Sequence, residues 1–187
     1  KSVASAAIQS ASSATDLRTA LGFAPPHLSW YQLTIEPNTV FHKRPPQLPS
    51  EDALADIQQA GEALLAAAGY VQYEISAYSR PGLRCRHNLN YWSFGDYLGI
   101  GAGAHGKITD ADGRIQRYHK TRQPADYLAA SAGAFTAGSR ELERADIVGE
   151  FMLNALRLNE GFTHALFEAR TGLDFAVIEP HLLELQE

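Results

Sequence analysis

The sequence predicts an α/β protein: a parallel sheet flanked by helices, followed by a run of short helices. Three observations carry this reading. Residues 28–75 read as strand, capped helix and strand; residues 105–118 read as a hairpin around a glycine turn; and from Glu141 onward apolar residues recur at helical spacing.

The elements follow in order. Thr15-Asp16 through Leu17, Ala20 and Leu21 predicts a helix ending at Gly22, while the serines before it compete for backbone hydrogen bonds. Pro25-Pro26 forces extended chain, and Leu28–Ile35, rich in aromatic and β-branched residues, reads as a strand that the Glu36-Pro37-Asn38-Thr39 cluster ends. Pro45, Pro46 and Pro49 mark a loop that no helix crosses. Ser50 is a good N-cap, Glu51 and Asp52 suit the positive end of the helix dipole, and Leu54, Ile57, Leu64, Leu65 and Ala68 keep helical spacing up to Gly69. Tyr70–Ile75 then alternates with period two, so a second strand follows, and strand–helix–strand implies parallel pairing.

A polar loop is expected from Ser76 to Asn90, and a short apolar strand at Tyr97–Gly101. His105–Thr109 and Arg114–Tyr118 flank Asp110-Ala111-Asp112-Gly113, a turn with its glycine in place. Gln123-Pro124 opens a helix through Leu128, and small residues with two glycines make 129–140 a linker. Ile147, Val148, Phe151, Met152, Ala155 and Leu156 form one apolar stripe; Thr163 caps a helix that Gly172 stops, and Pro180 opens another.

The 187 residues are 45% hydrophobic and 20% charged, which supplies a core without a disulfide or metal staple. A formal net charge of −5 gives no positive field for sequence-independent binding, so no nucleic-acid partner is expected. No apolar run approaches the roughly 18 residues of a membrane span. The lone Cys85 suits a reducing, cytoplasmic setting and cannot by itself hold a four-cysteine zinc site or an iron–sulfur cluster. Lys1 in place of Met, and the apolar-periodic run that ends the chain, point to a fragment.

Gly101-Ala102-Gly103-Ala104-His105-Gly106 matches G-x-G-x-x-G, but a hairpin follows it where a dinucleotide site needs a helix. It reads instead as a strand end where backbone approaches backbone or ligand. Arg84-Cys85-Arg86-His87-Asn88-Leu89-Asn90-Tyr91-Trp92 is richer in chemistry. A neutral imidazole ligates haem iron, rings lie against a porphyrin, and guanidinium groups match propionates. Each residue also has an ordinary explanation: solvated arginines, core aromatics, a hydrogen-bonded histidine. The other histidines lack H-E-x-x-H spacing and no G-x-S-x-G occurs, which disfavours a zinc hydrolase and a serine hydrolase. Glu36, Glu74 and Asp96 could serve as acids or bases, but nothing in the sequence pairs them, so surface ion pairs are the default reading.

Four segments now stand in order: Tyr31–Pro37, Gly69–Ser76, Cys85–Trp92 and Asp96–His105. Together, over residues 25–187, they resemble the oxygen-independent coproporphyrinogen-III oxidase-like radical SAM proteins, and within them the HemW-type haem chaperones. The resemblance implies an incomplete (β/α)6 barrel followed by a helical, winged-helix-like region. In this chain residues 1–128 would be the later part of the barrel, 129–140 the linker, and 141–187 the start of the C-terminal domain. Family members bind a [4Fe-4S] cluster through C-x-x-x-C-x-x-C, with S-adenosylmethionine on the open iron. That motif is absent here, so this chain alone is expected to show no radical chemistry.

The same resemblance implies His87 as ligand to haem iron, with Asn88, Tyr91 and Trp92 as pocket residues. It places Thr34, Gly101, Gly103 and His105 on the S-adenosylmethionine side, Thr34 and His105 departing from the residue types of the oxidases. The implied function is haem binding and delivery to haemoproteins, membrane-associated ones among them. The alternatives are oxidative decarboxylation of coproporphyrinogen III to protoporphyrinogen IX, and a non-catalytic α/β interaction module. A part-barrel exposes strand edges, so a homodimer is also expected.

Overall fold

The computed structural model describes residues 13–131 and 133–184; most of the Ser/Ala-rich start and the last three residues of the terminal apolar run lie outside them. The chain divides into two compact units, one ending at Cys85 and one beginning at Arg86.

In the first unit, helix α1 spans described residues 13–22. Strand β1 (His27–Ser29), the short α2 (Val40–Lys43), α3 (Glu51–Ala67), β2 (Val71–Glu74) and β3 (Ala77–Ser79) follow. The signals for α3 act as expected: Ser50 Oγ accepts from the Ala53 N–H at 3.3 Å, and Gly69 takes φ +82° beyond the last turn. Gly61 sits in mid-helix because a Cβ there would lie 1.8 Å from Cη2 of Trp30. Leu17, Leu65, Tyr70 and Tyr78 form the core, with Leu21, Leu28, Trp30 and Leu64 packed around it.

The strand read over Leu28–Ile35 stops at Ser29, and residues 30–36 have no regular structure. The sheet is not an uninterrupted parallel one: β3, inside the stretch read as a polar loop, lies between β1 and β2 and pairs antiparallel with both. All three β3 residues are buried, so the segment satisfies its backbone on both sides.

The second unit contains α4 (Arg86–Trp92), β4 (His105–Thr109), β5 (Ile115–Lys120), α5 (Pro124–Ala129), β6 (Thr136–Glu141), α6 (Arg144–Ala155), α7 (His164–Thr171), a 3-10 turn (Phe175–Val177) and α8 (Glu179–Glu184). The β4–β5 hairpin forms where the turn predicts it, with Gly113 at φ +83° and the Asp110 carboxylate bonded to Arg114 Nε at 3.0 Å. No strand precedes Gly101; a single Tyr97–Lys107 bridge stands there. The later part of the expected linker is strand β6, Thr136–Glu141, which runs one residue past it and pairs along β5. Its small residues have a packing reason, since a Cβ at Gly138 would lie 2.6 Å from the His119 ring.

Phe151 centres the core of this unit. Its ring meets Phe94, Phe162 and Phe167 edge-on at 5.9, 4.9 and 5.0 Å, pairs worth about 0.5–1.5 kcal/mol each beyond their burial. Thr163 caps α7 by accepting from the Leu166 N–H at 3.1 Å, and Gly172 closes it in the left-handed region. Among the described residues the strands form two three-stranded sheets, β1-β3-β2 and β4-β5-β6, and no closed barrel.

Candidate functional site

The segment read as the richest in chemistry is helical and not a loop. α4 carries His87, Asn88, Tyr91 and Trp92, and its last turn is tied down tightly. Ser93 N–H donates to the Leu89 carbonyl at 2.8 Å, Phe94 N–H to Tyr91 at 2.9 Å, and Gly95 N–H to Asn90 at 2.7 Å. Phe94 adopts φ +55°, and a Cβ on Gly95 would lie 2.1 Å from Asn90 Oδ1. The Asn90 amide also donates to the Asp96 carbonyl at 2.9 Å. The chain therefore doubles back and lays Asp96 and Tyr97 beside α4.

A row of rings results. His87 is exposed, one helical turn before Tyr91, with ring centroids 4.9 Å apart. Tyr91 stacks on Tyr97 at 4.3 Å. Arg117 of β5 lies 5.5 Å from the Tyr97 ring, donates to its hydroxyl, and pairs with Glu150 of α6 through Nε at 2.8 Å. Trp92 packs under the Arg157 guanidinium, 4.3 Å from its ring. Asn88 is half-buried.

Beyond Tyr97 opens a cavity of about 600 Å³, bounded by His105, Arg117, His119, Arg140 and Glu150 among others. The register opposes His105 to His119, whose rings stack at 5.7 Å. Burial pushes the Tyr91 hydroxyl above its ordinary pKa, Tyr97 adding to this and Arg117 opposing it. Burial pulls the Arg117 guanidinium down, but the Glu150 carboxylate outweighs it and raises the value.

Below the ring row, Lys107 is 1% exposed, with Nζ 3.0 Å from Asp96 and 4.0 Å from the Phe94 ring centroid. Burial lowers Lys107 despite its partner. For Asp96 burial acts upward, but the Thr109 N–H, the Lys107 ammonium and the Thr109 hydroxyl outweigh it and hold the carboxyl below its ordinary value. Asp96, read from sequence as a surface ion-pair residue by default, thus pairs with a buried lysine.

The structure brings His87 and Tyr91 together and sets His105 on the cavity that Tyr97 shares. Thr34 belongs to the first unit, where it is exposed. Gly101 and Gly103 form a turn with φ +103° and +69°; their N–H groups are engaged by the Tyr127 hydroxyl at 3.2 Å and the Thr121 carbonyl at 2.8 Å. Sequence reading missed Tyr97, Arg117, His119, Arg140 and Glu150. The hairpin turn carried part of the signal, because its register fixes His105 opposite His119 and Lys107 opposite Arg117.

Haem fits this chemistry, since one exposed imidazole on a helix suffices as an axial ligand. No cluster of three or more His, Cys, Asp or Glu poised for a metal ion occurs among the described residues. A [4Fe-4S] cluster does not fit this chain, whose only thiol is Cys85.

Residues 142–187 match the model of the HemN C-terminal domain. The heme chaperone HemW of Escherichia coli (strain K12) is 56% identical over 169 residues, which cover 90% of this chain and 44% of that protein. The chain is thus similar to the C-terminal half of HemW. The heme chaperone HemW of Haemophilus influenzae is 49% identical over 178 residues, covering 90% of this chain and 46% of HemW. A radical S-adenosyl methionine domain-containing protein of Danio rerio is 32% identical over 76% of this chain and 34% of its own length. This chain thus spans less than half the length of these relatives. In structure it resembles the coproporphyrinogen III oxidase HemN of Escherichia coli, a radical SAM enzyme. The TM-score is 0.65 at 20% identity, over 92% of this chain and 42% of that one, a likeness of fold. No helix of the described residues is long and apolar enough to cross a membrane.

Proposed function

We propose that this chain is the haem-holding half of a HemW-type chaperone, which binds haem and delivers it to haemoproteins, membrane-associated recipients included. His87 is the iron ligand, and Asn88, Tyr91 and Trp92 form the wall around it. The observation that carries the reading is the exposed His87 imidazole heading a stacked Tyr91–Tyr97 row, in a chain 56% identical to a heme chaperone HemW.

His87 would hold haem, which would supply an iron able to take an imidazole nitrogen. The protein's own part is positional. The exposed His87 ring would present a nitrogen at the surface, with the Tyr91 ring packed against it one turn along α4. A single surface ligand also suits delivery, because a chaperone must release what it holds and little protein has to move.

The resemblance further supports residues 1–128 as the later part of an incomplete (β/α)6 barrel, 129–140 as a linker whose later part is strand β6, and 141–187 as the start of a winged-helix-like domain. S-adenosylmethionine and a [4Fe-4S] cluster belong to the full-length protein, with Thr34, Gly101, Gly103 and His105 on the S-adenosylmethionine side. Because the Gly101 and Gly103 N–H groups are engaged within the chain, these glycines would offer close backbone approach and not donors. Cytoplasmic location and homodimer formation complete the proposal. Decarboxylation is the weaker reading, since the likeness to the oxidase is one of fold at 20% identity.

Haemin titrated into the full-length protein, followed by mixing with apomyoglobin as acceptor, tests the function. A saturable Soret shift, then transfer of the haem to the acceptor, is expected. Absence of any shift, or anaerobic conversion of coproporphyrinogen to protoporphyrinogen, would overturn it.

A further inference from the structure

We infer that helix α6 of the C-terminal region holds the haem-ligating face of α4 in place, with Arg117 as the positioning residue between them. The inference rests on the reading of His87 as haem ligand. α4 has seven residues, too few to be stable by itself, so the direction in which His87 points is set by what the helix leans on.

Besides the direct packing of α6 against α4, two side-chain routes run from the C-terminal region to α4. Glu150 of α6 accepts from Arg117 Nε at 2.8 Å; Arg117 donates to the Tyr97 hydroxyl, and Tyr97 stacks on Tyr91 at 4.3 Å, next to His87. Separately, the Arg157 guanidinium covers the Trp92 ring at 4.3 Å. The side chains of Arg117 and Glu150 are 25% and 22% exposed, so their pairing is shielded from solvent in a way that a surface ion pair is not. Without Glu150 the guanidinium keeps only the phenol, and Tyr97 loses the brace that fixes its ring under Tyr91. Glu150 lies inside the segment that matches the HemN C-terminal domain. A displacement of α6 would therefore reach the His87 ring through a short series of direct contacts.

The test uses the full-length protein carrying Glu150→Gln, Arg117→Met, Arg117→Lys or Tyr97→Phe, with thermal melting followed by circular dichroism to verify folding. Haemin affinity is measured by Soret titration, and the spin state of the bound iron by electron paramagnetic resonance. Glu150→Gln and Arg117→Met are expected to weaken haemin binding about tenfold, the scale of losing a ligand's outer support, and to change the spin-state ratio. Arg117→Lys recovers part of the affinity. Tyr97→Phe reproduces the loss, and adding Glu150→Gln to it costs little more, because both remove the same brace. Wild-type affinity and spectrum in folded Glu150→Gln and Arg117→Met proteins would overturn the inference while leaving the haem reading intact. A wild-type protein with no Soret shift would overturn both.

Discussion

Lys107 is a charge kept inside a core, 1% exposed beneath the ring of Phe94. Asp96, on the chain that doubles back from α4, is its partner at 3.0 Å. Removing the partner strands the ammonium, so Asp96→Ala is expected to cost about 3 kcal/mol in chemical denaturation. That is the lower end for breaking a buried pair, because the Asp96 side chain is 38% exposed. Lys107→Met, which removes the charge and keeps the stem, costs less; the reverse order would show the pair contributes little. In the first unit, burial holds His27 below the ordinary histidine value, Glu74 partly opposing it, with Nε2 2.9 Å from the Tyr73 hydroxyl. Its folded-state pKa lies under the unfolded one, so its contribution is present above about pH 6.5 and is lost as the pH falls below it. Denaturation at pH 7.5 and 5.5 should therefore show wild type losing more stability on acidification than His27→Gln; equal losses would contradict this. The sequence left the partner of Asp96 unnamed, because that partner lies eleven positions away on another element.

At the scale of elements, what was legible is what local chemistry decides. Ser50 and Gly69 bound α3, Gly113 turns the β4–β5 hairpin, and Thr163 and Gly172 bound α7, each through its own cap or turn. What escaped was set by distant contacts. β3 has three residues and exists because β1 and β2 flank it. α4 holds two asparagines and two bulky aromatics, poor helix formers, and is held by Tyr97 and Arg157. Gly61 shows the same contest inside α3. Alanine there gains about 1 kcal/mol of helix propensity, but its Cβ would overlap Trp30 and overpacking costs about 1–3 kcal/mol. Gly61→Ala is thus expected to lower the melting temperature, and Trp30→Leu to restore it in the double variant. A raised melting temperature in the single variant would show that Trp30 moves aside freely.

For the whole molecule, four ordered segments carried the family reading, and the 56% identity to a heme chaperone HemW agrees with it. The architecture was less legible. A parallel sheet was expected and two antiparallel ones occur, because period-two patterns state that a segment is a strand and not which neighbour it meets. His87 and Tyr91 were named through the family resemblance, whereas the helix that puts them on one face was read from sequence as loop. The supporting Arg117 and Glu150 lie 33 positions apart and meet only in the fold. The most direct measurement of the central claim is the Soret spectrum of haemin with the full-length protein and its His87→Ala variant at equal concentrations. The account predicts that wild type shifts the band and the variant, equally folded, leaves it where free haemin puts it. The same shift in both would place the haem on some other residue.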